Sequence, residues 1–217
     1  MIIAIDGSAG SGKGSLAKNL SKKLNLKHLD TGVLFRIIAS QAIELGIDLG
    51  IDDEDERLKE LSRKLTIENV EKIKLTEKDK LKSEKISKKS SEIAIKSEIR
   101  NELVIFQRKY ANYDKSAYNG IILDGRDIGT VVFPNADFKL FLDADIEIRA
   151  ERRTQELIHL NYKVIYQDIL SDLKLRDERD INRSVGPLLK AEDAFFIDTG
   201  YKSENLVLQE ALEFIKN

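Results

Sequence analysis

The sequence predicts an α/β fold, a parallel sheet with helices on both faces. Three observations carry that reading. Short, unbroken apolar runs mark buried strands. Segments of helical periodicity alternate with them along the chain. The first run, Ile2–Ile5, ends in Asp6-Gly7 and leads through a Gly-rich turn into a helix.

The elements follow in order. After the turn, Leu16, Ala17, Leu20 and Leu24 recur at helical spacing. Asp30-Thr31-Gly32 precedes a second helix through Leu34, Ile37, Ile38, Ala42 and Leu45. Leu58, Leu61 and Leu65 place one apolar face on a helix over 52–65. The alternation Lys72-Ile73-Lys74-Leu75 predicts a strand, with 66–70 as its hairpin partner. A long helical pattern covers 86–110. Two further strands, 121–123 and 138–142, end in Asp124-Gly125-Arg126-Asp127 and Asp143-Ala144-Asp145. Helices are expected from Ile146 and over 165–180, then a strand at 195–197. Ser203 is placed to cap a last helix through Ile215.

Composition narrows the function classes. The 217 residues are 41% hydrophobic and 34% charged, which describes a globular chain. The formal net charge of −2 argues against a broad nucleic-acid surface, as does an aromatic content of 6%. Without cysteine there is no disulfide, thiolate nucleophile or Cys-based zinc site. His28 and His159 have no metal-ligand spacing and read as ordinary histidines. No basic segment followed by an apolar one opens the sequence, and no apolar stretch is long enough to span a membrane. The expectation is a cytoplasmic protein.

Gly7-Ser8-Ala9-Gly10-Ser11-Gly12-Lys13-Gly14 fits G-x-x-x-x-G-K between strand and helix, the context that makes a phosphate loop credible. Glycines let successive N–H groups point inward, and the helix start adds its positive end. Lys13 supplies a mobile charge for the β- and γ-phosphates of a nucleoside triphosphate. The common Ser/Thr after the lysine is Gly14 here, and the hydroxyl comes at Ser15. Two readings stand for Asp124 and Asp143 at their strand ends. Each either holds a metal through water, as Ser15 could, or caps the following helix.

Joining two phosphorylated substrates needs more cations than Lys13, because transfer spreads negative charge over several oxygens. Arg36 follows Asp30-Thr31-Gly32 by one turn, and Arg126 lies in a loop after a core strand, where open α/β sheets bind ligands. Arg176, Arg179, Asp180 and Arg183 share a helical face. Arg152 and Arg153 form a second pair. A solvated face is the alternative for each helix; the phosphate loop's demand for cations favours function for Arg176 and Arg183, leaves Arg152 open and leaves Arg153 in solvent.

These segments resemble the cytidylate kinases, bacterial enzymes of the nucleoside monophosphate kinase group. The resemblance rests on Gly7–Ser15, the run from Leu29 to Arg36, the run from Asp124 to Pro134, and the run from Arg176 to Arg183 closed by Pro187-Leu188. It spans nearly the whole chain. It implies a P-loop NTPase-type core (1–45, 86–150 and 184–217), an inserted monophosphate-binding domain near 46–85, and a helical lid over 151–183. It implies that Ser91, Arg100 and Asp127 read the cytosine edge, Ser91 and Arg100 being placed by register with Gln107-Arg108. Arg36, Arg126 and Arg183 would hold the acceptor phosphate, Asp180 and Arg176 its sugar hydroxyls, and Asp30 would lie beside them. Arg152, Arg176 and Arg179 would meet the donor phosphates. The implied reaction is transfer from ATP, with magnesium, to CMP or dCMP by a monomer, with Lys13, Arg126, Arg176 and Arg183 as the catalytic cations. The alternatives are a kinase for UMP or dTMP and a nucleotide-gated ATPase switch.

Overall fold

A computed structural model of the chain describes residues 1–48, 52–112 and 117–216. Its elements begin with β1 (Ile2–Gly7), α1 (Lys13–Leu24), β2 (Lys27–Asp30), α2 (Thr31–Glu44) and α3 (Asp52–Arg63). Next come α4 (Ile67–Thr76), α5 (Lys78–Leu81), α6 (Glu84–Ile93) and α7 (Ser97–Ala111). β3 (Ile121–Gly125), a π-helical turn (Ile128–Val132), β4 (Phe138–Asp143), α8 (Ile146–His159), α9 (Tyr166–Asn182), β5 (Phe195–Asp198) and α10 (Glu204–Lys216) complete the chain. They cluster into two compact units, Met1–Asp30 with Asp114–Asn217, and Thr31–Tyr113.

The first unit is the predicted parallel sheet, ordered β2-β3-β1-β4-β5 with every pair parallel. β1 lies at its centre because both its faces are apolar, and Ile3, Ala4 and Ile5 are fully buried. Leu16, Ala17 and Leu20 of α1 join Ile3, Ile122, Leu140 and Ile197 in one core, which Val207 and Ala211 of α10 complete. Ser203 accepts from the Leu206 N–H at 3.3 Å, the expected cap of α10. A second cluster joins Ala9 of the phosphate loop to Ala150, Leu157, Ile169 and Leu173, so α8 and α9 pack beside that loop. The register sets Asp6 against Gly125 and Asp30 against Asp124, which gathers acidic and glycine residues at the carboxyl ends of three neighbouring strands.

The second unit is helical. α2 packs on α6, and α3 on α7. The predicted hairpin over 66–75 is instead α4. Ile67 and Val70 are buried at helical spacing, and Thr66 caps the helix by accepting from the Asn69 N–H. Four alternating residues were too few to outweigh that cap and face. The Tyr110 hydroxyl donates to Glu71 at 2.6 Å and ties α4 to α7. The single helix expected over 86–110 breaks between Ile93 and Ser97, giving α6 and α7. The unit takes in α2, α6 and α7 as well as α3, α4 and α5.

Candidate active site

The phosphate loop is built where β1 meets α1. Gly7 has φ +148°, and a Cβ there would lie 1.9 Å from the Leu142 carbonyl oxygen, so only glycine fits. Gly12 caps α1 in the left-handed conformation at φ 88°. The Ser8 hydroxyl donates to Asp143. Lys13 curls over the loop and donates to the Ser8 carbonyl at 2.6 Å and the Ser11 hydroxyl at 3.3 Å. Burial, and then the Arg126 charge, lower its pKa to about 7; Asp124 acts in the opposite sense. This is a site that holds a cation at some cost until an anion arrives.

Arg126, Arg183 and Asp180 interlock beside that lysine. Arg126 Nε meets Asp180 Oδ2 at 2.6 Å and Arg183 meets Oδ1 at 3.0 Å. A second nitrogen of Arg183 lies 3.8 Å from Asp127. Burial works against the charge of Asp180, but Arg126, Arg176 and Arg183 outweigh it and lower its pKa. Burial likewise opposes the Arg126 charge, and Asp180 reverses the balance and raises that pKa. Arg183 also donates to the Gly186 carbonyl at 2.5 Å, which fixes the turn after α9. The expected group of Lys13, Arg126, Arg176, Asp180 and Arg183 is therefore one electrostatic cluster in the first unit.

Other expected residues lie elsewhere. Arg152 donates to the Thr199 and Gly200 carbonyls at 2.6 and 3.1 Å. Thr199 in turn donates to the Ser11 carbonyl at 2.9 Å, so Arg152 braces the rim of the phosphate loop. Arg153 pairs with Glu156 at 2.9 Å. Arg179 is half-buried on α9, and Ser15 is exposed in the first turn of α1. Arg36, Ser91 and Arg100 belong to the second unit. There Arg100 donates to the Ala94 carbonyl at 3.1 Å and lies 5.5 Å over the Phe35 ring. Ser91 Oγ, Gln107 Oε1 and Arg36 Nε are buried without a hydrogen-bond partner. Such groups are rare in folded proteins and fit a surface that receives a polar ligand.

Asp124 stands at the carboxyl end of β3. A Cβ built on Gly14 would lie 3.9 Å from its Oδ2, so this carboxylate faces the first turn of α1. Among the described residues no three His, Asp or Glu side chains converge on one point. A magnesium ion suits this arrangement, since it keeps several waters and takes its other oxygens from phosphates with one or two carboxylates. Asp143 receives the Ser8 hydroxyl and the Ala144 N–H instead.

Two residues here escaped the sequence reading. Arg149 of α8 is buried against Gly10 and Ala9 of the phosphate loop. Asp6 closes β1 and accepts the Ile128 and Gly129 N–H groups at 2.8 and 2.7 Å, capping the π-helical turn. An aspartate ending an apolar strand was the available signal. Burial raises the Asp6 pKa from 3.8 to about 6, against those two N–H groups. A raised carboxyl pKa means that stability is present below the unfolded value and is lost as pH climbs through the folded one. Asp6→Asn is expected to remove that slope between pH 3.8 and about 6. It should cost about 2 kcal/mol, because its NH₂ group leaves one buried N–H without an acceptor. Denaturant unfolding across that pH range checks both.

A Gly-rich loop and helix at the carboxyl end of the central strand of a parallel sheet, crossed by a lysine and flanked by arginines, define a P-loop nucleotide-binding protein. Within that class the chain belongs to the cytidylate kinase family, whose sequence profile matches residues 3–217. It is 38% identical to a cytidylate kinase of Vibrio vulnificus, covering 100% of this chain and 96% of that protein. It is 39% identical to a cytidylate kinase of Fusobacterium nucleatum, covering 99% and 95%. A solved structure of an uncharacterised protein from Eubacterium ventriosum matches at a TM-score of 0.56 and 17% identity, over 100% of this chain and 99% of that one, and supports the fold. Among the described residues no helix is long and apolar enough to cross a membrane.

Proposed function

We propose that this chain transfers the γ-phosphoryl group of ATP to CMP or dCMP, giving ADP and CDP or dCDP. The observation that carries the proposal is the Lys13, Arg126, Asp180 and Arg183 cluster beside the phosphate loop, in a member of the cytidylate kinase family. An acceptor phosphate oxygen attacks the γ-phosphorus. The bond to the β,γ-bridging oxygen breaks, and its electrons leave with ADP. No protein nucleophile is needed. Residues 7–15 cradle the donor phosphates, and Arg152 and Arg179 serve them from α8 and α9. Lys13, Arg126, Arg176 and Arg183 neutralise the charge that develops on the transferring group.

The acceptor phosphate is assigned to Arg36, Arg126 and Arg183, its sugar to Asp180 and Arg176, and Asp30 stands at the end of β2 beside Asp124. Ser91, Arg100 and Asp127 read cytosine, whose amine donates to a carboxylate while its ring nitrogen and carbonyl accept. The unpartnered Ser91 hydroxyl supports that assignment. Asp124 and Ser15 would hold a magnesium ion through water, and that ion would supply positive charge to the donor phosphates. Residues near 46–85 act as the monophosphate-binding insert and 151–183 as a lid whose closure excludes water. The same reading gives a cytoplasmic monomer, which sedimentation of the purified chain tests for assembly.

ADP release with ATP and magnesium, measured against CMP, dCMP, UMP, AMP, dTMP and no acceptor, tests the reaction. Release is expected with CMP and dCMP alone. Release without an acceptor would favour an ATPase switch. Preference for UMP or dTMP would overturn the base-reading assignment and leave the phosphate machinery standing.

A further inference from the structure

We propose that His28 is a positioning residue that holds the Asp124 carboxylate in the orientation a hydrated magnesium ion requires. The inference rests on the phosphoryl-transfer reading above. His28 lies on β2 and Asp124 at the end of β3, in parallel register that pairs His28 with Ile122 and Asp30 with Asp124. Alternate residues of a strand share a face, so His28 and Asp124 are diagonal neighbours on one side of the sheet. The imidazole crosses that diagonal, and its Nε2 lies 2.6 Å from Asp124 Oδ1. An ionised carboxylate only accepts, so Nε2 carries the hydrogen. The bond is shielded, with the two side chains 22% and 8% exposed.

The two oxygens of Asp124 therefore face different ways. Oδ1 takes the histidine, while Oδ2 is the oxygen that would lie 3.9 Å from a Cβ at Gly14, toward the phosphate loop. A carboxylate held at one oxygen keeps the other aimed. Without the His28 donor, the carboxylate still feels the charges of Lys13 and Arg126, both of which already interact with it. A carboxylate that swung toward either cation would leave the metal position. Partners of this kind, one bond removed from a metal, commonly change its affinity by about 10- to 100-fold when removed.

The test is manganese(II) binding to the full chain in complex with a non-hydrolysable ATP analogue and no acceptor, followed by electron paramagnetic resonance. His28→Phe keeps a ring and removes the donor. It is expected to weaken manganese about 10-fold, the lower end of such effects, with affinity for the metal-free analogue unchanged. His28→Gln, which places an N–H at a similar reach, should bind manganese like the wild type. Manganese affinity unchanged in His28→Phe would overturn the proposal whatever its melting temperature, since that is what a bond merely joining β2 to β3 predicts. Were His28→Phe not to fold, His28→Asn, whose amide stops short of Asp124, carries the same comparison and the same overturning result. These measurements involve no acceptor, so failure here leaves the kinase reading to its own assay.

Discussion

Lys13→Ala is expected to lower turnover by at least about 10²- to 10³-fold, the effect of removing one preorganised charge from a transferring group. The nucleotide-free protein should stay folded. Lys13 is 6% exposed, packs against its own loop, and feels Arg126 and Arg176. Burial first, and Arg126 next, bring its pKa down from 10.5 to about 7. Across that window the folded chain binds fewer protons than the unfolded one. Stability therefore rises with pH from about 7 to 10.5, at up to about 1.4 kcal/mol per pH unit. Lys13→Ala removes that contribution. Denaturant midpoints of wild type and variant, measured from pH 7 to 9, should converge as pH rises, with the variant the more stable at the lower end. Parallel profiles would show that the lysine is not desolvated in the empty site. Full turnover by the folded variant would remove Lys13 from the mechanism.

How much of this was legible in the sequence depends on whether the signal was local. The phosphate loop was, because β1, the glycines, Lys13 and α1 are consecutive and each dictates its neighbour's conformation. The Arg176 to Arg183 group was readable as one helical face, and Arg126 as a loop residue after a core strand. What the sequence hid was lateral. His28 reads as an isolated histidine until β2 is set beside β3, and no local pattern gives that register. α4 is the opposite case, since the alternation from Lys72 to Leu75 suggests a strand but the Thr66 cap and the spacing of Ile67 and Val70 set a helix. Asp6 and Arg149 illustrate a third case. Both are charged residues on buried faces, and sequence patterning assigns such positions to apolar side chains unless the partner is known. For Arg149, the clue was its place beside Ala150 and one turn after Ile146, on the face of α8 that packs inward.

Arg149→Ala is expected to destabilise the P-loop unit by about 3–5 kcal/mol, the cost of breaking a buried ion pair from one side. Arg149 is 5% exposed, and besides a 3.8 Å approach of Nε to Asp143 Oδ1 its guanidinium makes three closer connections. Nε donates to the Ala144 carbonyl at 2.7 Å, and NH1 donates to the Ala9 carbonyl of the phosphate loop at 3.1 Å. NH1 also meets Asp177 Oδ2 at 2.7 Å. Asp177 Oδ1 is buried with no hydrogen-bond partner, so Arg149 is the direct ion-pair partner of its carboxylate, with the Arg126 charge acting on it as well. Arg149 thus joins α9, which carries Arg176, Arg179 and Asp180, to the loop that carries Lys13. Arg149→Lys should recover little, because an ammonium has no planar fork to serve three directions at once. The double variant Arg149→Met with Asp177→Leu separates the roles. Replacing both partners by apolar side chains often restores stability, so its unfolding midpoint should return toward wild type. The Ala9 carbonyl would still lack its donor, and α9 its polar tie to the loop. Elevated KM for ATP in that refolded double variant is the expected result, whereas wild-type KM would mean that Arg149 supports the fold alone and the loop keeps its shape through Gly7, Gly12 and the Thr199 bond to Ser11.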